Sequence, residues 1–322
     1  TQTSGLAWTN QADYGVGCES WNGSAWTAVA NLNTEKIQDG GGGDNNTTAL
    51  SSGGMGEGFV ALAKTELWNG TAWTEVNDLS LARGYQYNGG NATAGWNAGG
   101  YLQPGAFTAQ TEEWNADQSI GAWSSGGDLN VAKTGIGNAG TQTAALGMGG
   151  IVSGTAVTSN ESYNGSTWTE IADLNTGANS FGSNGTQTSA LAYGGQNTPP
   201  SGAETNKNES WNGSAWTEVA NLNRTTSFIA GLGADNTSAL AAGGTPNGVA
   251  NTETWNGSAW TEVNDLNDGR RGLYGVGIIT AALAFGGEDP GTQYKDQTES
   301  WNGSTWTEVN DLNTARERVS GS

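Results

Sequence analysis

The sequence predicts an all-β chain folded as a closed seven-bladed β-propeller, its ring sealed by a C-terminal strand that completes the N-terminal blade. Three observations carry this expectation: a phrase repeated seven times, an Asn-Gly turn inside most copies, and two chain ends that read as halves of one repeat. A fixed period of this length marks a blade of four strands, and a ring leaves no open sheet edge between its first and last members.

The repeated phrases are CESWNGSAWTAV, TELWNGTAWTEV, TEEWNADQSIGAWSSG, NESYNGSTWTEI, NESWNGSAWTEV, TETWNGSAWTEV and TESWNGSTWTEV. Their leading aromatics are Trp21, Trp68, Trp114, Tyr163, Trp211, Trp255 and Trp301, at steps of 47, 46, 49, 48, 44 and 46 residues. One domain over 1–322 is therefore expected, with blade 1 made of 1–33 plus 314–322 and blades 2 to 7 lying between about 34 and 313.

Within each phrase, Asn-Gly between two β-prone arms predicts a two-residue type I′ hairpin, because that turn needs positive φ at both central positions. Trp21 would then lie opposite Ser24, with Trp26 on the same face and stacked diagonally on Trp21. Thirteen of the 15 Trp sit in these hairpins, which makes them the expected filling between blades and excludes the disorder that 53 Gly would otherwise allow. A second, weaker strand pair precedes each hairpin, with Leu6, Leu50, Trp96, Leu146, Leu191, Leu240 and Leu283 in register. Its Gly and Ala suit inner strands that crowd around an axis. Six copies end in Gly-Gly, and the first has Thr9-Asn10 instead.

The ends fit one another. Joining the C-terminal RERVSGS to the N-terminal TQTSGLAW gives a close copy of the internal NSFGSNGTQTSALAY, and the step from Trp301 round to Trp21 is 42 residues. Only a closed ring requires that match. A start at Thr1 without Met is expected for a processed chain or a domain excised from a longer one.

Composition excludes several classes. Eleven basic residues against 31 acidic ones, a net charge of −20, disfavour nucleic acid as a partner. No apolar run reaches the ~20 residues of a membrane span, so no membrane insertion is expected. Cys18 is the lone cysteine, at a position where other copies carry Thr or Asn, and reads as a buried inert thiol.

The order of Gly-Gly, a strand ending in an aromatic and a nearby Trp, as in GGEDPGTQYKDQTESWNGSTW, resembles the kelch repeat of β-propellers over essentially the whole chain. The phrase WNGSAWTEVNDLNTAR also resembles repeats in structural and fibre-like proteins of marine bacteriophages. Some kelch-fold proteins are copper oxidases similar to galactose oxidase, whose site needs His ligands. This chain has no His, which also disfavours zinc sites and Ser-His-Asp triads. SYNGSTW at Ser162 to Trp168 resembles the Asp-box of sialidases, itself a structural hairpin, but the six Arg offer no evident triad for a sialidase pocket. No enzyme activity or cofactor is expected and no metal ligand is singled out; Asp-rich loops can take Ca²⁺, yet no EF-hand spacing appears, which leaves metal binding open. The N-x-S/T matches at Asn22, Asn69, Asn164, Asn212, Asn256 and Asn302 are explained by turn geometry before glycosylation.

Two residue sets remain as candidate sites. Four residues after the Leu that follows a hairpin, five copies place a base: Lys36, Arg83, Lys133, Arg270 and Arg316. These are expected to ring one mouth of the axial channel, either holding an anion or pairing with Asp78, Asp128, Asp173, Asp265 or Asp311. The second set lies in the segments between Gly-Gly and the next strand, which vary from 8 residues (245–252) to 13 (196–208) while the opposite hairpins stay nearly uniform. Loops on a rigid scaffold commonly carry binding, and these offer Tyr14, Phe59, Tyr101, Phe107, Asp289 and Tyr294. Aromatic rings beside polar groups suit a sugar face or a protein hot spot. The function expected is non-enzymatic recognition, in a virion or extracellular appendage, of a cell-surface glycan or protein. The alternatives are a structural or decoration subunit that contacts only neighbouring subunits, and a glycan-cleaving enzyme with two convergent carboxylates.

Overall fold

Each repeat becomes one four-stranded antiparallel sheet in the computed structural model of the chain, which describes residues 3–10, 15–103, 105–116, 121–197, 202–316 and 320–321. The first sheet takes strands from both ends, in the order Trp26–Ala28, Gly15–Trp21, Gly5–Asn10 and Ser320–Gly321. Ala7 faces Gly321 and Trp8 faces Ser320 across the last pair. The other six sheets run in unbroken chain order over 40–75, 87–125, 137–171, 182–218, 230–262 and 274–308. The architecture is a seven-bladed β-propeller. Among the described residues there is no α-helix, and so none long and apolar enough to cross a membrane.

The outer hairpins differ from the two-residue turn expected. Trp21 pairs directly with Trp26, Trp68 with Trp73 and Trp211 with Trp216, so the loops hold four residues. The asparagine side chain provides the reason. Asn22 Oδ1 accepts the backbone N–H groups of Ser24 and Ala25, both at 3.0 Å, so the side chain closes a loop that a type I′ turn would have closed through backbone alone. Gly23 supplies the one positive φ needed, 95°. The two indoles of a pair consequently face each other across the strands, with ring centres 5.6 Å apart for Trp21 and Trp26.

These Trp pairs fill the seams between sheets. Trp21 and Trp26 pack on Leu283, Phe285 and Leu312 of the seventh blade, and Trp68 and Trp73 pack on Leu6, Trp8 and Leu32 of the first. Five inner indoles, Trp68, Trp114, Trp211, Trp255 and Trp301, also donate to a turn carbonyl of their own sheet, as Trp68 does to Asn46 at 2.9 Å. The outer indole reaches the preceding sheet: Trp26, Trp123, Trp168 and Trp306 donate to Thr298, Thr65, Thr111 and Thr252 hydroxyls at 2.9–3.0 Å. Trp73 meets the buried Cys18 at that place, and burial pushes this thiol up to about 12. The inert reading of Cys18 therefore has a physical basis.

Innermost strands of successive sheets touch around the axis. A Cβ on Gly231 would come within 2.9 Å of Gly182 Cα on the neighbouring sheet, so the glycine is required by close approach. Side chains then link sheet to sheet: Asn138 donates to Asn88 O at 2.9 Å, Ser183 to Asn138 O at 3.2 Å and Asn184 to Asp235 O at 2.7 Å. They line an axial cavity of about 440 Å³ together with glycine backbone.

Candidate functional site

The variable segments and the connections from one sheet to the next share one face. Single bridges tie them together: Ile37 to Met55, Gly84 to Tyr101, Thr134 to Ile151, Asn179 to Gln196 and Arg271 to Glu288. Four of the segments fold into two-stranded ribbons over 55–61, 101–107, 151–156 and 196–204. A cleft of about 340 Å³ opens on this face, lined by Met55, Phe59, Tyr85, Tyr101, Gln103, Phe107 and Thr134. That volume lies at the lower end of the range for small-ligand sites.

Three of the residues singled out from sequence, Phe59, Tyr101 and Phe107, converge there from two different segments. Tyr101 pairs with Phe107 across its ribbon, their rings 6.1 Å apart and edge to face. Tyr85 adds a second edge-to-face contact with Tyr101 at 6.2 Å. The Gln103 amide donates to the Phe59 carbonyl, which ties the ribbon to the 3-10 turn Glu57–Phe59 of the preceding loop. Thr134 donates to the Tyr85 carbonyl at 3.2 Å and brings in a third connection. Phe59 is 51% exposed and Tyr85 36%, while Met55 forms a fully buried floor.

Both exposed rings stand on left-handed backbone, φ 60° at Phe59 and 55° at Tyr85. Such a conformation costs a non-glycine residue on the order of 1–3 kcal/mol and persists only where surroundings impose it. At Tyr85 the imposition is general: Gln38, Gly135, Ser180, Phe228 and Gly272 occupy the same place in other repeats, all with φ between 51° and 69°. The Tyr85 N–H donates to Gln38 O at 3.2 Å, and the Phe228 N–H to Ser180 O at 3.0 Å, so these residues link adjacent repeats. The scaffold fixes the backbone there and leaves the side chain free to vary. Sequence reasoning missed Tyr85 for that reason. It follows the repeated cation by two residues and lies outside the variable segments; its only sequence signal is that glycine fills the position in two other repeats.

The remaining loop candidates do not line this cleft. Asp289 closes its own turn by accepting the Gln293 and Gly291 N–H groups at 2.9 and 2.8 Å and pairs with Lys295 at 3.2 Å. The Gln293 amide, with Lys295 beside it, holds this carboxyl below its usual range. Tyr294 is half-buried and bridges to Glu288 within the same loop. Tyr14 lies outside the described residues.

The expected ring of cations at the channel mouth is overturned. Lys36, Arg83, Lys133, Arg270 and Arg316 are buried, 0–1% exposed, within the seams between sheets. Their partners are glutamates of the following sheet's third strand, not the aspartates expected: Arg270 meets Glu299 at 3.0 Å, Lys133 meets Glu161 at 3.3 Å, and Arg316 meets Glu19 at 2.6 Å. Arg83 pairs with Glu112 and Lys36 lies 4.0 Å from Glu66. A further acceptor is the carbonyl two residues before the glutamate: Lys133 donates to Ser159 O at 3.0 Å and Arg270 to Gln297 O at 3.1 Å. Burial lowers the pKa of Lys36, Arg83, Lys133 and Arg270, and the facing carboxylates oppose the shift. A buried charge must be paired, and glutamate reaches the seam from its strand where the aspartates sit beyond it. The aspartates serve another end: Asp78, Asp128, Asp265 and Asp311 accept the N–H groups of Thr65, Thr111, Thr252 and Thr298 at 3.0–3.2 Å.

Among solved structures, the chain is similar to that of the protein YjhT, with a TM-score of 0.66 over 88% of this chain and 99% of that one. At 13% identity the likeness concerns the fold alone. No family model and no curated protein matches the sequence.

Proposed function

We propose that this chain is a non-enzymatic recognition module that binds a glycan or a protein side chain in the cleft framed by Phe59, Tyr85, Tyr101 and Phe107. The observation that carries the reading is this convergence of four aromatic rings from three separate stretches of chain on the face where the repeats differ. Rings of this kind offer apolar faces to a sugar or an aliphatic side chain, and Gln103 and Thr134 add polar groups at the margin. The left-handed backbone under Phe59, φ 60°, is a further support, because strain of this sort clusters at ligand clamps.

The finer reading places the module in a virion or extracellular appendage. It rests on the resemblance of the repeat to kelch propellers and to phage fibre-like repeats, and it makes the natural ligand a surface glycan or protein of a host cell. A glycan array and a host-cell binding assay test it with the full chain and with Tyr101→Ala and Phe107→Ala. Binding by the parent and a loss of about 30-fold in each variant, the scale of an interface hot spot, is the expected result. Equal binding by parent and variants, or a parent that binds neither glycan nor cell, would favour a structural subunit without a ligand of its own.

A further inference from the structure

The scaffold does not ask for aromatic rings where Tyr101 and Phe107 stand. The bridge that sets Tyr101 against Gly84 holds Met55, Ile151, Gln196 and Glu288 at the same place in four other repeats. Phe107 pairs with Tyr101 where the corresponding ribbons set Ala61 against Met55, Ala156 against Ile151 and Glu204 against Gln196. The rings also stand steeply to one another, at 82° between Tyr85 and Tyr101 and 62° between Tyr101 and Phe107. A flat sugar face stacks on one ring or on rings that share a plane. Rings set at such angles wall a space from several sides and suit a compact, rounded group.

The polar margin of the cleft is committed to the protein itself. Gln103 donates its amide to the Phe59 carbonyl and Thr134 its hydroxyl to the Tyr85 carbonyl, so each carbonyl already accepts a bond where a primary ammonium would need one. Charge nevertheless favours a cation. In the three framing stretches, 55–61, 84–87 and 101–107, the one charged residue is Glu57, exposed in the same turn as Phe59. The basic neighbours in sequence, Arg83 and Lys133, are buried and paired with Glu112 and Glu161. The whole chain carries a net charge of −20, a field that enriches cations and depletes anions at its surface. The negative faces of the rings attract a cation as well. A trimethylammonium group meets these conditions together: it has no N–H to leave unpaired on burial, and its charge is spread over methyl groups that fit rings and the Met55 thioether.

We infer, on the premise that this cleft is a recognition site, that its occupant is the trimethylammonium head of a methylated lysine side chain on a partner protein. The cleft of about 340 Å³ is roughly ten times the ~30 Å³ share of one water, enough for the eight heavy atoms of that head and its four-methylene stem. A choline phosphodiester offers the same head but brings a phosphate into a field already negative, with no Lys or Arg in the three framing stretches to receive it.

Calorimetric titration of the full chain with three short peptides, identical except at one side chain, tests this: trimethyllysine, its neutral carbon analogue ending in a tert-butyl group, and unmodified lysine. Phosphocholine and methyl glucoside are run alongside. The trimethyllysine peptide should bind about tenfold more tightly than the carbon analogue, the scale of a partly desolvated cation–π contact, and more tightly still than lysine. Tyr101→Leu keeps apolar bulk but not the ring, and should bring that ratio close to one. Phe59→Leu, at the exposed rim, should lower the ratio as well even if Tyr101→Leu fails to fold. Equal affinity for the trimethyllysine peptide and the carbon analogue, or a preference for phosphocholine or the glucoside that Tyr101→Leu abolishes, overturns the inference and leaves the recognition cleft in place. An absence of Tyr101-dependent binding by all five ligands overturns both.

Discussion

The seams between the sheets and the loops that crown one face obey opposite rules. In a seam every side chain touches a neighbour that is itself a copy, so Trp, Leu, Asn and Glu recur with little change from Trp21 to Trp306. On the crown the segments touch mainly themselves, and one becomes an aromatic ribbon at 101–107, another a turn closed by Asp289, and a third a cis Thr245–Pro246 bend. Uniformity thus marks where one repeat must fit the next, and divergence marks where the scaffold imposes only a backbone path. A function that requires a unique surface has the crown available to it.

The contrast can be tested from its largest consequence downward. Trp301→Ala removes a fully buried indole from the seam with the sixth sheet and should cost about 4 kcal/mol by denaturant unfolding. A loss below about 1 kcal/mol would mean that the indoles do not govern the seam. Arg270→Ala strands Glu299 without its partner and should cost about 3 kcal/mol in the same measurement. Cys18→Thr gives Trp73 the hydroxyl acceptor that four sister indoles have, so a gain of about 1 kcal/mol is expected. On the crown, Tyr85→Gly should leave stability unchanged or raise it by up to about 1 kcal/mol, because glycine accepts φ 55° without strain. Ligand binding should fall in that same variant, which separates the two roles of the position. The smallest effect concerns pH. Burial raises the Glu253 carboxyl above its ordinary 4.5, against the pull of Asn223 and Arg224. A raised folded pKa contributes stability that is complete below the unfolded value and fades as pH rises through the folded one. Glu253→Gln should therefore gain on the parent as pH climbs from 4 to 7, and a parallel pair of melting curves would contradict the assignment.

Much of this was legible in the sequence because repetition multiplies weak signals. Seven copies of one phrase give the blade count, and Leu6 to Leu283 mark the buried second strand. Read as a backbone signal alone, Asn-Gly predicts a hairpin two residues too short. In the structure the Asn22 carboxamide does the closing, and side-chain hydrogen bonds of that kind leave no trace in spacing. A channel mouth is where register alone puts the cations, because a sequence shows register and not depth. Only the recurring Thr-Glu and Leu-Asn pairs, read together, would have set Glu66 against Lys36 and Asn33. In the cleft, Phe59, Tyr101 and Phe107 were legible as exceptions to a repeat, whereas Tyr85 occupies a regular position with an irregular side chain.

Each of the seven glutamates accepts a backbone N–H from the connection leaving the preceding sheet: Asn33, Ser80, Asn130, Asn175, Asn223, Asn267 and Asn313, at 2.5–2.9 Å. Donor and acceptor thus belong to different blades, including the pair that joins Asn313 to Glu19 across the two ends of the chain. Slow deuterium exchange at those seven amides, set against faster exchange in the ribbons, is the result expected if the blades open together.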